Sequence, residues 1–96
     1  MICWVMYDIK NDRTRSKISK FCTQMGLQRV QYSVFLGSID NNQKDTLELQ
    51  CQSVFQAETD SIYIFPMSKD ELKATVLLGQ AFDKKLITDK VRALFI

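Results

Sequence analysis

Gln28-Arg29-Val30-Gln31-Tyr32-Ser33-Val34-Phe35-Leu36-Gly37-Ser38-Ile39 lies between two helical patterns and sets the order of elements. It is rich in β-branched and aromatic side chains and holds one glycine, so it reads as either a long kinked strand or a tight hairpin, bent at Tyr32-Ser33. Helical patterns flank it on both sides. Upstream, Asn11 or Asp12 can cap a helix whose apolar positions Ile18, Phe21, Cys22 and Met25 fall at i, i+3, i+4 and i+7, with Gly26 as its stop. Downstream, Asp40-Asn41-Asn42 supplies a turn and cap, and Leu47, Cys51, Val54 and Phe55 mark a second helix.

The outermost elements are strands. Ile2-Cys3-Trp4-Val5-Met6-Tyr7-Asp8-Ile9 is apolar apart from its one acid, and Asp60-Ser61-Ile62-Tyr63-Ile64-Phe65-Pro66 alternates until the proline ends it or confines it to an edge. The order is therefore β-α-β-β-α-β, an α+β ferredoxin-like arrangement with an antiparallel sheet. Ser68-Lys69-Asp70-Glu71 has capping-box spacing and predicts a short third helix through Leu72 to about Leu77, closed by Gly79. Residues 1–96 leave room for one domain. Residues 80–96 read as an extension, and its apolar end, Val91-Arg92-Ala93-Leu94-Phe95-Ile96, has no place in a monomeric ferredoxin-like fold. It is expected to add a strand to a sheet edge of a partner subunit in a homodimer.

Composition narrows the chemistry. Apolar residues at 46% and charged residues at 25% are ordinary for a globular chain, and no apolar run reaches the ~20 residues of a membrane span. Asp8 interrupts the first apolar run and no basic segment precedes it, which argues against a secretory signal and leaves a cytoplasmic, membrane-free protein as the default. Cys3, Cys22 and Cys51 are odd in number, widely spaced and flanked by apolar residues, so they read as core hydrophobes. There is no histidine, which excludes His-dependent triads and zinc deaminase chemistry within the chain. Any catalysis falls to carboxylates, a bound metal or a partner.

Net charge is only +2, but residues 9 to 30 hold Lys10, Arg13, Arg15, Lys17, Lys20 and Arg29 against Asp12 alone. Six bases less one acid leave +5 in this segment, enough to attract phosphates to one end of the fold. The same charges also suit a solvated helix face. Asp8, just ahead of them, reads as a carboxylate at a sheet edge under a cationic helix, or as a plain turn former at a strand end. Tyr7 and Phe35 lie among apolar neighbours, which favours core packing over stacking on bases.

Tyr7-Asp8-Ile9, the basic helix start through Arg13, Arg15 and Lys17, the run Arg29-Val30-Gln31-Tyr32-Ser33-Val34-Phe35 and Asp60-Ser61-Ile62 together resemble the Cas-two family, the second of the two widespread CRISPR adaptation proteins. The resemblance spans residues 1 to about 67. It implies a ferredoxin-like homodimer with Asp8 near its twin at the two-fold axis, acting in spacer acquisition by bridging integrase dimers and holding double-stranded DNA. Some members of the family are described as Mg²⁺- or Mn²⁺-dependent nucleases on RNA or DNA, and others as scaffolds only. The positions carried over by motif are Tyr7, Asp8, Arg15, Arg29, Ser33 and Phe35. The chain departs from the family pattern at Leu36, where many members place an acid, and at Lys17, where some have Arg.

Two main function classes follow. A nuclease would use Asp8 as metal ligand and catalytic carboxylate for water activation, and Mg²⁺ takes one or two carboxylates plus water, so the twin Asp8 of a homodimer would be needed, with Ser33 or Arg15 positioning phosphate. A scaffold needs only a rigid dimer with Lys10, Arg13, Arg15, Lys17, Lys20 and Arg29 along a duplex backbone, without base contacts. A stand-alone RNA-cleaving toxin on the same fold is a third class, and its motifs fit less well.

Overall fold

The structure, a computed structural model, describes residues 1–78. Its elements run β1 (Ile2–Asp8), α1 (Asp12–Gln24), β2 (Gln28–Gln31), β3 (Val34–Ser38), α2 (Asn41–Gln52), β4 (Ser61–Met67) and α3 (Lys69–Ala74). The sheet order is β2-β3-β1-β4, with every adjacent pair antiparallel, which is the ferredoxin-like topology expected from the order of elements.

Side-chain caps set the helix starts. Asn11 is the N-cap of α1, its side-chain oxygen accepting from Thr14 N–H at 3.0 Å. Asp40 caps α2 in a reciprocal box with Gln43. At the end of α1, Leu27 N–H donates to Cys22 C=O and Gly26 N–H to Thr23 C=O, the paired bonds of a Schellman motif. That motif requires a left-handed residue, and Gly26 supplies it at φ 87°.

The stretch from Gln28 is a hairpin. Gln31 pairs with Val34 across a two-residue turn at Tyr32-Ser33, as the predicted bend requires. Both turn residues keep negative φ, whereas two-residue hairpins matched to strand twist favour positive φ. A register shift between Arg29 and Gln31 absorbs the mismatch. Tyr7 N–H donates to Ser33 C=O at 3.1 Å, so the hairpin turn is tied to the centre of the sheet.

The placement of Asp8 and the ends of two helices differ from what the sequence predicts. Asp8 is not at a sheet edge: β1 is an inner strand between β3 and β4. The second helix ends at Gln52, with Val54 and Phe55 in the following turn. The third helix keeps its Ser68/Glu71 box but ends at Ala74, because β-branched Thr75 takes an extended backbone (φ −67°, ψ 127°) and its hydroxyl donates back to Glu71 C=O. Pro66 does not end its strand. It pairs opposite Cys3 within β4, an edge strand, where a missing N–H is tolerated. The predicted stop at Gly79 and the predicted strand of the extension lie outside the described residues.

The sheet is apolar on both faces. The face toward α1 and α2 buries Cys3, Val5, Tyr7, Phe35, Ile18, Cys22, Leu47 and Cys51. The opposite face buries Ile2, Trp4, Val30, Leu36 and Leu72. Leu36, where the family resemblance implies an acid, is thus part of an apolar layer. Gly37 is required by close packing: a Cβ there would meet Leu27 Cδ2 at 2.9 Å and Leu27 Cα at 3.1 Å. The cysteines are free and buried, as predicted. Burial raises all three thiols, Cys22 to about 12 and Cys51 to about 11, which keeps them protonated and inert. No helix among the described residues is long and apolar enough to cross a membrane.

Candidate nucleic-acid interface

Strand periodicity puts Tyr7 and Asp8 on opposite faces of the sheet. Tyr7 belongs to the helix-side core with Cys3 and Val5, and Asp8 continues the row of Ile2, Trp4 and Met6 on the other side. The two adjacent motif residues therefore serve different surfaces.

On the helix side, the start of α1 and the β2-β3 hairpin enclose an open cavity of ≈ 570 Å³. Its cations are Arg15, Lys20 and Arg29. Hydroxyls of Ser16, Ser19 and Ser33, and the rings of Tyr7 and Tyr32, complete the wall. Of the six cations singled out in the sequence, the structure brings three together here. Lys10, Arg13 and Lys17 are exposed but do not line the cavity.

Arg29 is held from two sides. Its guanidinium lies 5.2 Å over the Phe35 ring and donates to Ser19 Oγ. Phe35 in turn stacks on Tyr7, with centroids 6.4 Å apart and an interplanar angle of 23°. Both rings are buried, so the predicted core role holds, and they form the platform on which Arg29 rests. Burial pushes the Tyr7 phenol up, against the opposing pull of Arg29 and a hydrogen bond with Ser19. Arg15 is similarly anchored: Nη1 donates to Ile9 C=O at 3.1 Å, and Nη2 pairs with Asp12. Pre-ordered guanidiniums lose less freedom when a phosphate arrives.

Asp8 stands at the end of β1 opposite Ser61, exposed and without a hydrogen bond or ion pair among the described residues. A free carboxylate is a hard oxygen ligand suited to Mg²⁺ or Mn²⁺, but no cluster of three or more acids, cysteines or histidines occurs among the described residues. One carboxylate is fewer hard ligands than a divalent-metal site within one chain needs.

Asp60, read from the sequence as a strand start and part of the family motif but given no role in the site, is the one buried charged side chain among the described residues. Its carboxylate accepts from Gln56 N–H at 2.9 Å, Lys10 N–H at 3.2 Å and Thr59 Oγ1 at 3.2 Å. These bonds, led by that from Gln56, lower its pKa. Asp60 thereby clamps the turn after α2 to the chain leaving β1, and fixes the backbone on which Asp8 sits. The signals for it in the sequence are an acid immediately before a strand and its place in the Asp60-Ser61-Ile62 motif. Ser16, Ser19 and Tyr32, which line the cavity, were also missed, because their positions depend on how α1 docks beside the hairpin.

The sequence profile of the family described as CRISPR associated protein Cas2 matches residues 1–75. A protein of Archaeoglobus fulgidus named CRISPR-associated endoribonuclease Cas2 1 is 37% identical over 67 residues, covering 70% of this chain and 71% of that protein. CRISPR-associated endoribonuclease Cas2 2 of Chloroflexus aurantiacus is 31% identical over 83 residues, covering 86% of this chain and 98% of the relative. The crystal structure of Streptococcus pyogenes Cas2 at pH 6.5 superposes with a TM-score of 0.71 at 26% identity, over 82% of this chain and all of that one. By sequence profile, relatives and fold, the chain belongs to the Cas2 family of CRISPR-associated proteins.

Proposed function

We propose that this Cas2-family chain acts in spacer acquisition as a homodimer that holds double-stranded DNA by its phosphates and bridges the dimers of the CRISPR integrase. The observation that carries the reading is the convergence of Arg15, Lys20 and Arg29 on one hydroxyl-lined cavity, with both guanidiniums already oriented. Charges of one sign beside serine hydroxyls suit phosphate oxygens and read no base edge. Replacing Arg15, Lys20 and Arg29 by Ala should weaken duplex binding for all sequences alike and flatten its salt dependence by up to ~0.9 in slope per lost contact. In reconstituted integration with the cognate integrase, the same triple variant should lose product. An unchanged salt slope would overturn the reading.

A second reading, metal-dependent cleavage of RNA or DNA, is favoured by one observation, the free and exposed Asp8 carboxylate. The endoribonuclease names of the relatives support it. In a homodimer the twin Asp8 side chains would hold Mg²⁺ or Mn²⁺. The metal would supply an activated water and offset charge developing on the phosphate.

A further inference from the structure

While the neighbouring Tyr7 and Phe35 are buried and Tyr63 of β4 is 62% exposed, Tyr32 is 85% exposed. Its backbone N–H is taken by Gln31 Oε1 at 3.2 Å, but its ring and hydroxyl make no ring contact or hydrogen bond among the described residues. Leaving so large an apolar face in water forgoes burial energy. The turn places this ring on the wall of the same cavity as Arg15, Lys20 and Arg29. A cationic groove rimmed by an unpartnered aromatic face is how sequence-tolerant single-strand binders are built: cations take the backbone and the ring takes a base.

We infer that Tyr32 is a stacking platform for one unpaired base, whose phosphate is held by Arg15, Lys20 and Arg29. Bases within a duplex are already stacked and offer no free face, so the site discriminates in favour of a single strand or a frayed end. The inference rests on the phosphate-binding reading of this cavity.

The test measures affinity by fluorescence anisotropy, using labelled single-stranded RNA, single-stranded DNA of the same sequence and a blunt DNA duplex. Tyr32→Ala should weaken binding of both single strands about 5- to 150-fold, the equivalent of one lost base stack, and leave the blunt duplex unchanged. Tyr32→Phe should restore the single-strand affinity, since stacking uses the ring and not the hydroxyl. Unchanged single-strand affinity in Tyr32→Ala, an equal loss on the duplex, a loss confined to RNA or to DNA, or failure of Tyr32→Phe to restore binding would each overturn the inference. So would a change in oligomeric state by light scattering, which would make Tyr32 a subunit contact. A wild type that binds none of the three probes would instead defeat the phosphate reading beneath it.

Discussion

The two faces of the sheet carry the same motif in different ways. On the helix side, Tyr7, Phe35 and Arg29 stack in succession, and Ser19, Arg15 and the hairpin turn brace them. On the other side, Asp8 ends a row of apolar residues, and its side chain makes no hydrogen bond or ion pair among the described residues. The first surface is assembled within one chain, so the binding proposed for it can be tested on a monomer. The second presents a single exposed carboxylate, and the metal chemistry proposed for it needs a second copy or further ligands.

The comparison breaks most readily at Phe35, which is 1% exposed and supports both Tyr7 and Arg29. Phe35→Ala removes the platform and leaves a cavity, at a cost of about 3–5 kcal/mol. Urea denaturation should show that loss, and nucleic-acid affinity should fall with it even where the fold persists. Equal stability of the variant and wild type would mean that the stacked rings do not organise the helix-side surface.

A second test separates the cations by position. Arg13→Ala with Lys17→Ala removes as much charge as Arg15→Ala with Arg29→Ala, but only the latter pair lines the cavity. If the cavity matters, the latter pair should reduce the salt slope of duplex binding by about 1.8, at ~0.9 per contact, and the former pair by much less. Equal slopes for the two variants would reduce the helix-side surface to diffuse positive charge.

Acid should next loosen the clamp that Asp60 makes between the turn after α2 and the chain leaving β1. Asp60 has a lowered pKa through bonds from Gln56, Lys10 and Thr59, so the folded state binds its proton less readily than the unfolded chain, with its ordinary value of 3.8. Its contribution is therefore fully present above that value and lost as pH falls through the lower folded pKa. In Asp60→Asn, stability should drop at neutral pH, and the steep acid dependence below pH 3.8 should flatten. Urea midpoints measured across that window check both, and parallel pH profiles for variant and wild type would remove Asp60 as the clamp.

Local signals made most of this architecture readable from sequence. Asn11, Asp40 and Ser68 announce three helix starts by their own hydrogen-bonding chemistry, and the Tyr32-Ser33 bend lies between two β-rich runs. The site was legible only in part. Residues 9 to 30 showed a cationic cluster, but which cations converge depends on docking of α1 beside the hairpin, a contact across many residues of chain. Asp60 was missed for the same reason: its partners Gln56 and Thr59 are local, but Lys10 is 50 positions away. The inner position of β1 was missed at the motif because an apolar strand reads alike at the centre and the edge of a two-layer sheet.

The smallest effect on the fold should come from Asp8→Asn, and this is what makes it decisive for the chemistry. The side chain is exposed and supports no other group among the described residues, so a neutral isostere should leave the monomer's stability within about 0.5 kcal/mol of wild type. Duplex affinity should also hold, because the cations that attract phosphate lie on the other face. If twin Asp8 carboxylates meet in a homodimer, removing their repulsion should leave the dimer equally or slightly more stable when no metal is present. Cleavage is the exception: activity that needs Mg²⁺ or Mn²⁺ should vanish, since the chain has no histidine to act as base and a lone amide is a poor ligand for a hard cation. Purified Asp8→Asn protein cleaving at the wild-type rate would take the chemistry away from this face. Loss of cleavage with integration retained would divide the labour between the faces, the helix side holding nucleic acid and the Asp8 side cutting it.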